Sequence, residues 1–165
     1  MSDRLAVFDL DGVLADVRHR VHHVEGPRRD WDAFFAEALA DPPLADGLEA
    51  VAVAEAEGLA IAYLTGRPER CRADTEAWLD RVGLPPGPLL MRPDRDRRPA
   101  RMFKVEALRD LARTTSIAYL VDDDAAVVLA ASEAGFPVIH AAWMGGGTEG
   151  VDRILYDVQE TEGRT

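Results

Sequence analysis

The sequence predicts an α/β domain, a parallel sheet covered by helices on both faces. Short and almost continuous apolar runs alternate with longer segments that carry a 3.6-residue apolar period, and polar residues gather where the apolar runs end. The runs are Leu5–Leu10, Leu59–Leu64, Pro88–Met91, Ile117–Val121 and Pro137–Ile139, each 3 to 6 residues long. Half-exposed strands alternate apolar with polar residues; runs this uniform read as strands buried on both faces, which is the habit of parallel sheets. Strands separated by helices imply right-handed crossovers, hence a three-layer sandwich around a five-stranded parallel sheet.

The helical segments follow in order. Asp30 is placed to cap a helix on which Trp31, Phe34, Phe35, Ala38 and Leu39 share a face, and that spacing makes the aromatics core residues. Leu44, Leu48, Val51 and Ala52 repeat the pattern. Pro68 suits a first helical position, and Gly83 a stop after Trp78, Leu79 and Val82. Met102–Leu111 and Ala125–Ala134, the latter ended by Gly135, complete the framework. A turn at Gly145–Gly147 precedes a last helix near Val151–Val158, and the polar residues after Gln159 read as a disordered tail. The domain is thus expected over residues 1–159 with a tail at 160–165. A small insert at 16–45 holds one helix beyond the framework, which is too little for a large lid and leaves the site open.

At 165 residues, 47% hydrophobic and 30% charged, the chain has the composition of one globular domain. No run approaches the roughly 18 apolar residues of a membrane span, and the first ten residues lack the basic and apolar regions of a secretory leader. The single cysteine, Cys71, has no partner for a disulfide and no neighbouring ligand type, so a cytoplasmic location is expected. The net charge of −11 repels polyanions at long range. Against that average, Arg92, Arg95, Arg97, Arg98 and Arg101 fall within ten positions. Such a run is either a solvated loop paired with Asp94 and Asp96 or a loop that faces an anion.

In open α/β sheets ligands bind at the carboxyl ends of the strands. Here those ends carry Asp9-Leu10-Asp11-Gly12, Thr65-Gly66-Arg67 and Asp122-Asp123-Asp124, and Lys104 lies near the start of a helical segment. Carboxylates brought together from two strands repel one another, and a hard cation such as Mg²⁺, held by one or two of them with substrate phosphate, relieves that. The metal, Lys104 and the Thr65 hydroxyl would neutralise and position a phosphoryl group. Residues two apart on an extended strand end point the same way. One of the two can then attack phosphorus while the other protonates the leaving oxygen and later deprotonates water. Gly12 lets the chain turn beneath them. The alternative for the two acids is a pair of turn or capping carboxylates; for Asp122–Asp124 it is a solvated helix start, where Asp124 is the expected cap.

Phe8-Asp9-Leu10-Asp11-Gly12-Val13-Leu14 resembles the first motif of the haloacid dehalogenase (HAD) superfamily, and Thr65, Lys104 and the Asp122–Asp124 cluster match its second, third and fourth motifs in order. The resemblance implies a Rossmannoid sheet with the first strand central, Asp9 as nucleophile and Asp11 as acid and base. It also implies Mg²⁺ bound by the Asp9 carboxylate, the Asp11 carbonyl and Asp122 or Asp123, with Thr65, Gly66 and Lys104 at the phosphoryl oxygens. Arg20 eleven residues after Asp9, Thr65-Gly66-Arg67, Met91-Arg92 and Asp122-Asp123 are further similar to the 3′-phosphatase domain of phage-type polynucleotide kinases, which makes Arg20 and Arg67 substrate-binding residues. Ala100 stands where that pattern has an acid, and the chain has no kinase P-loop.

The expected function is a Mg²⁺-dependent phosphomonoesterase acting on a nucleotide or a polynucleotide 3′-phosphate end. A broad-specificity small-metabolite phosphatase and a non-catalytic phosphate-binding module are the other readings. No membrane partner is expected. His19 is a candidate for the mouth of the site, whereas His22 and His23 read as loop or surface residues without the partners of a zinc site.

Overall fold

A computed structural model of the chain describes residues 3–144 and 151–165; the expected turn at Gly145–Gly147 lies outside them. Five strands, β1 (Arg4–Phe8), β2 (Ala60–Pro68), β3 (Leu89–Arg92), β4 (Ser116–Asp122) and β5 (Val138–His140), form a parallel sheet in the order β3-β2-β1-β4-β5. The chain order reverses on either side of β1. That puts the switch point, where open sheets bind ligands, at the end of the strand that runs into Asp9.

Alternation along β1 sorts the core into two layers. Ala6 and Phe8 point to one face with Ile61 and Tyr63, where α2 (Ala45–Ala56) and α3 (Arg72–Val82) supply Val51, Ala54, Trp78 and Leu79. Leu5 and Val7 point to the other with Ala62, Leu64 and Leu120, where α4 (Ala100–Leu111) and α5 (Ala125–Glu133) supply Phe103, Leu108, Val127 and Ala131. Asp30 accepts from the Ala33 N–H and caps α1 (Trp31–Ala36), and Gly83, at φ 79°, ends α3 in the left-handed conformation that glycine adopts without strain. A third cluster joins the insert to the last helix, α6 (Val151–Glu162): Val17, Val21, Trp31, Phe34 and Phe35 pack with Leu155 and Val158.

Four sequence expectations are corrected. Leu39 is exposed, because α1 stops at Ala36 and a 3₁₀ turn over Ala38–Ala40 changes the angular step per residue. Ala52 is also exposed; the buried stripe of α2 is Gly47, Val51 and Ala54. Pro68 is the last residue of β2, with an extended ψ of 152°, and α3 begins only at Arg72 after a 3₁₀ turn. The residues after Gln159 are held in place: α6 runs to Glu162, which pairs with Arg29 and accepts from Trp31 Nε1, and Thr165 is buried. Their polarity serves specific partners instead of solvent.

Candidate active site

Two strand ends place the acids, and a third places Thr65 and Arg67. The Asp9 N–H extends the β1–β4 ladder by one bond, to the Val121 carbonyl at 3.0 Å, and Asp122 closes β4. Between β2 and β3 the register slips: Thr65 pairs with Met91 and Pro68 with Arg92. Gly66 and Arg67 therefore bulge out of the ladder, a device that re-aims side chains beside a site. The bulge turns Arg67 inward, buried and facing Asp11.

Lys104 on α4 stands between the acids. Its Nζ lies 3.0 Å from Asp9 Oδ1 and 2.7 Å from Asp122 Oδ2. Asp122 uses its other oxygen to accept from the Asp124 N–H at 2.9 Å, and Asp124 caps α5 through the Ala126 N–H. Asp123 is buried, accepts from the Tyr156 hydroxyl of α6 through Oδ2 at 2.9 Å, and has no donor for Oδ1. Gly12, at φ 83°, makes room for it: a Cβ there would come within 2.1 Å of Asp123 Oδ2. Oxygens of Asp9, Asp122 and Asp123 all lie within 4.8 Å of one another. A donorless buried oxygen among crowded carboxylates suits a hard cation, so the donor set fits Mg²⁺.

A second half, built on two arginines and the acids that pair with them, faces the first. Asp11 Oδ1 accepts from Arg67 Nε at 3.0 Å, Arg67 Nη2 at 2.5 Å and Arg20 Nη2 at 3.1 Å. Both guanidiniums also bind Asp41, a fully buried residue of the insert. Arg20 reaches it through Nε and Nη2 at 2.8 Å each, and Arg67 through Nη2 at 3.0 Å. His19 Nε2 lies 2.6 Å from the same carboxylate. Arg67 and Thr65 are tied as well, the Arg67 N–H donating to Thr65 Oγ1 at 3.2 Å.

The two motif acids accordingly differ in electrostatics. Burial, helped by the Asp122 and Asp11 charges, pushes the Asp9 carboxyl up to about 7 despite Lys104. Burial would raise Asp11 too, but Arg67 and then Arg20 outweigh it and hold Asp11 at about 2. Asp123 is pushed well above the carboxylate range by burial, then by Asp9 and Asp122. Lys104 is desolvated yet stays charged, because Asp122 and Asp9 raise it above its ordinary value.

The structure gathers all the expected residues, Asp9, Asp11, Arg20, Thr65, Gly66, Arg67, Lys104, Asp122 and Asp123, at one end of the sheet. It corrects one premise: β1 ends at Phe8, so Asp11 lies beyond the strand in a bridge with Ala15, and its carboxylate turns to the arginines. The arginine-rich loop is mostly committed. Arg92 is buried and donates to the Gly66 and Arg98 carbonyls, Arg97 donates to the Asp94 and Asp96 carbonyls, Arg98 pairs with Asp96 and Glu106, and Arg101 with Glu160. Arg95 alone of the five has no such partner among the described residues. Asp41 and Tyr156 were not legible: each contributes one polar side chain from a segment without a motif. His22 and His23 gather with Glu37 on the insert.

A parallel α/β sheet with a DxDG strand end, a threonine, a lysine and paired acids at its switch point defines a phosphatase of the HAD type. The chain belongs to the family of the polynucleotide kinase PNKP phosphatase domain, whose profile matches residues 3–143. No curated protein matches it significantly. Among solved structures, a chain of the Pnkp1/Rnl/Hen1 RNA repair complex superposes with a TM-score of 0.70 at 24% identity, over 83% of this chain and 42% of that one. This chain thus spans less than half the length of that relative. The class C acid phosphatase from Bacillus anthracis with tungstate bound gives 0.62 at 19% identity over 93% and 78% of the two chains. A putative β-phosphoglucomutase from Thermotoga maritima gives 0.54 at 15% identity over 98% and 95%. Among the described residues no helix is long and apolar enough to cross a membrane.

Two predictions rest on this charge arrangement. Asp41→Ala leaves two buried guanidiniums with Asp11 as their only shared acid, and breaking a buried ion pair from one side costs about 3–5 kcal/mol; urea unfolding is expected to register a loss of that order, and a loss under 1 kcal/mol would contradict the assignment. The second concerns pH. An acid whose folded pKa is about 7, against an ordinary value near 4, binds more protons folded than unfolded between those values. Stability of the metal-free protein in EDTA should therefore fall as pH rises from 5 to 8, and saturating Mg²⁺ should flatten the fall. The opposite slope in thermal melts would contradict the reading.

Proposed function

We propose that this chain is a Mg²⁺-dependent phosphomonoesterase that passes a phosphoryl group through Asp9 and acts on a polynucleotide 3′-phosphate end. The observation that carries the reading is the division of the site into a carboxylate half around Lys104 and an arginine half around Asp11. Asp9 and Asp123 would hold the metal. The donorless Oδ1 of Asp123 supports it as the direct ligand in preference to Asp122, whose two oxygens already serve Lys104 and the Asp124 amide. The bound ion supplies positive charge that offsets charge on the phosphoryl oxygens.

The remaining work falls to side chains. Lys104 orients the Asp9 oxygen for attack and neutralises a phosphoryl oxygen. Thr65 and the backbone at Gly66 offer hydrogen bonds to the same group. Asp11 faces a conflict, because an acid held at about 2 does not protonate a leaving oxygen. An arriving phosphate dianion competes for Arg67 and Arg20, and a carboxyl that shares its arginines rises in pKa. Substrate binding in this way arms Asp11 as the acid; once the proton has gone to the leaving alcohol, Asp11 is a base for the attacking water.

The polynucleotide assignment is supported by the family match; a shallow groove beside Arg164 is of mixed charge, lined by Arg28, Arg29, Trp31 and Arg164 together with Asp30 and Asp32. One observation favours the broad-specificity reading: four of the five loop arginines are already engaged within the protein, which leaves Arg95 as the loop's main free charge.

Asp9→Asn keeps the volume and removes the attacking anion, so kcat should fall about 10³-fold or more while the protein stays folded. EDTA should abolish turnover and Mg²⁺ restore it, with Ca²⁺ a poor substitute. More than a tenth of wild-type activity in Asp9→Asn, or full activity in EDTA, would contradict the mechanism. For the substrate, kcat/KM on a 3′-phosphorylated oligonucleotide is compared with that on a 3′-mononucleotide at two salt concentrations. A polynucleotide enzyme should prefer the oligonucleotide, and Arg95→Ala should reduce that preference and flatten its salt slope by at most about one. Equal efficiency on both substrates, unmoved by the substitution, would leave a small-molecule phosphatase.

A further inference from the structure

Beyond α6 the chain enters the site. Thr165 is 4% exposed, and its hydroxyl donates to Asp11 Oδ2 at 3.4 Å, the Asp11 oxygen that neither arginine holds. The Thr165 carbonyl accepts from Nη2 of the buried Arg92 at 3.3 Å. The Thr165 main chain lies directly on Gly66: a Cβ there would come within 2.0 Å of the Thr165 carbonyl carbon, and its three nearest neighbours would all be atoms of Thr165. Gly163 turns the chain inward at φ 57° with its Cβ position 2.2 Å from the Arg97 carbonyl oxygen. Just before the turn, Glu162 is anchored by Arg29 and Trp31.

We propose that Gly163–Thr165 is the resident occupant of the leaving-group subsite, and that substrate binds by displacing it. The inference rests on the assignment of Asp11 as the acid that meets the leaving oxygen. An alcohol that has just left phosphorus donates its new proton to Asp11, and the Thr165 hydroxyl stands in that relation to Asp11 now. Threonine carries a secondary alcohol, as does the 3′ position of a nucleoside, so the segment resembles the product of a 3′-phosphatase in the group it presents. When the segment leaves, Arg92 loses the Thr165 carbonyl while its other donors stay on Gly66 and Arg98. The freed Nη2 then takes an acceptor on the leaving group. In a polynucleotide that acceptor is the phosphodiester on the 5′ side of the terminal sugar, which a mononucleotide lacks. Occupancy by the chain lowers the apparent affinity for substrate by the fraction of molecules that are open.

Two variants test this, because deletion of residues 163–165 alone could disturb α6. Gly163→Val keeps the full length but places a branched side chain at a positive φ against the Arg97 carbonyl, so the segment cannot seat. Both variants should lower KM for a 3′-phosphorylated oligonucleotide by about 5- to 10-fold, with kcat within about twofold. A synthetic peptide of residues 160–165 should inhibit the deletion variant competitively. Independently of activity, amide hydrogen exchange at residues 163–165 of the wild-type chain should quicken about tenfold when a 3′-hydroxyl oligonucleotide is added with inorganic phosphate. Unchanged KM in both variants together with unchanged exchange overturns the proposal; so does a raised KM in both, which would make the segment part of the binding surface. If the wild type hydrolyses no phosphate ester while the exchange still quickens, the occupancy stands and the phosphatase reading fails.

Discussion

The ammonium of Lys104, 3.0 Å from Asp9 and 2.7 Å from Asp122, is the contact on which the site depends. Two unit charges 4 Å apart interact by about 4 kcal/mol at an effective dielectric constant near 20. That is a large share of the roughly 5–15 kcal/mol by which a domain of this kind is stable. Four strand-end acids buried without a cation would therefore oppose folding. Lys104 answers for Asp9 and Asp122, and the arginines answer for Asp11. Asp123 is left with one oxygen that no donor meets. The stability of the sheet and the affinity of its end for a cation thus have the same origin.

The arginine half follows the same logic with the signs reversed. Arg20 and Arg67 are fully desolvated, and Asp41 makes this tolerable by meeting both. Asp41 is itself fixed through its backbone, since its carbonyl accepts from Trp78 Nε1 in the core. The small insert is in this sense a bracket: it brings Asp41 to the arginines and buries its aromatic side against α6. A chain of net charge −11 thus still buries two arginines, because Asp11 and Asp41 are buried with them and match their charge.

The five strands, the strand-end motifs and the cap at Asp124 could be read from the sequence because each is a local signal: a run of apolar residues, a spacing of acids, an acid before a helix. Asp41 could not be found in this way. It sits between Ala40 and Pro42 with no motif around it, and its importance arises only where the insert meets the bulge at Arg67. Tyr156 reaches Asp123 from a helix that follows the last strand, across 33 residues. The polarity of the residues after Gln159 points to a disordered tail, yet polar residues are also what buried polar partners bind, and here α6 runs on to Glu162 and Thr165 is buried. The arginine loop shows the converse. Clustered charges in sequence leave an acid-paired loop and an anion-binding face equally open, and only the fold shows most of them satisfied by Asp96, Glu106, Glu160 and backbone carbonyls.

The central claim, that phosphoryl transfer passes through a covalent bond to Asp9, is tested most directly by trapping that bond. Enzyme quenched during turnover of a phosphate monoester and reduced with borohydride should yield homoserine in place of Asp9 in the peptide that spans β1, because an acyl phosphate is reduced where a free carboxylate is not. Recovery of unmodified Asp9 under conditions in which turnover is demonstrated, with no other residue converted, would mean that water attacks phosphorus directly and would contradict the account.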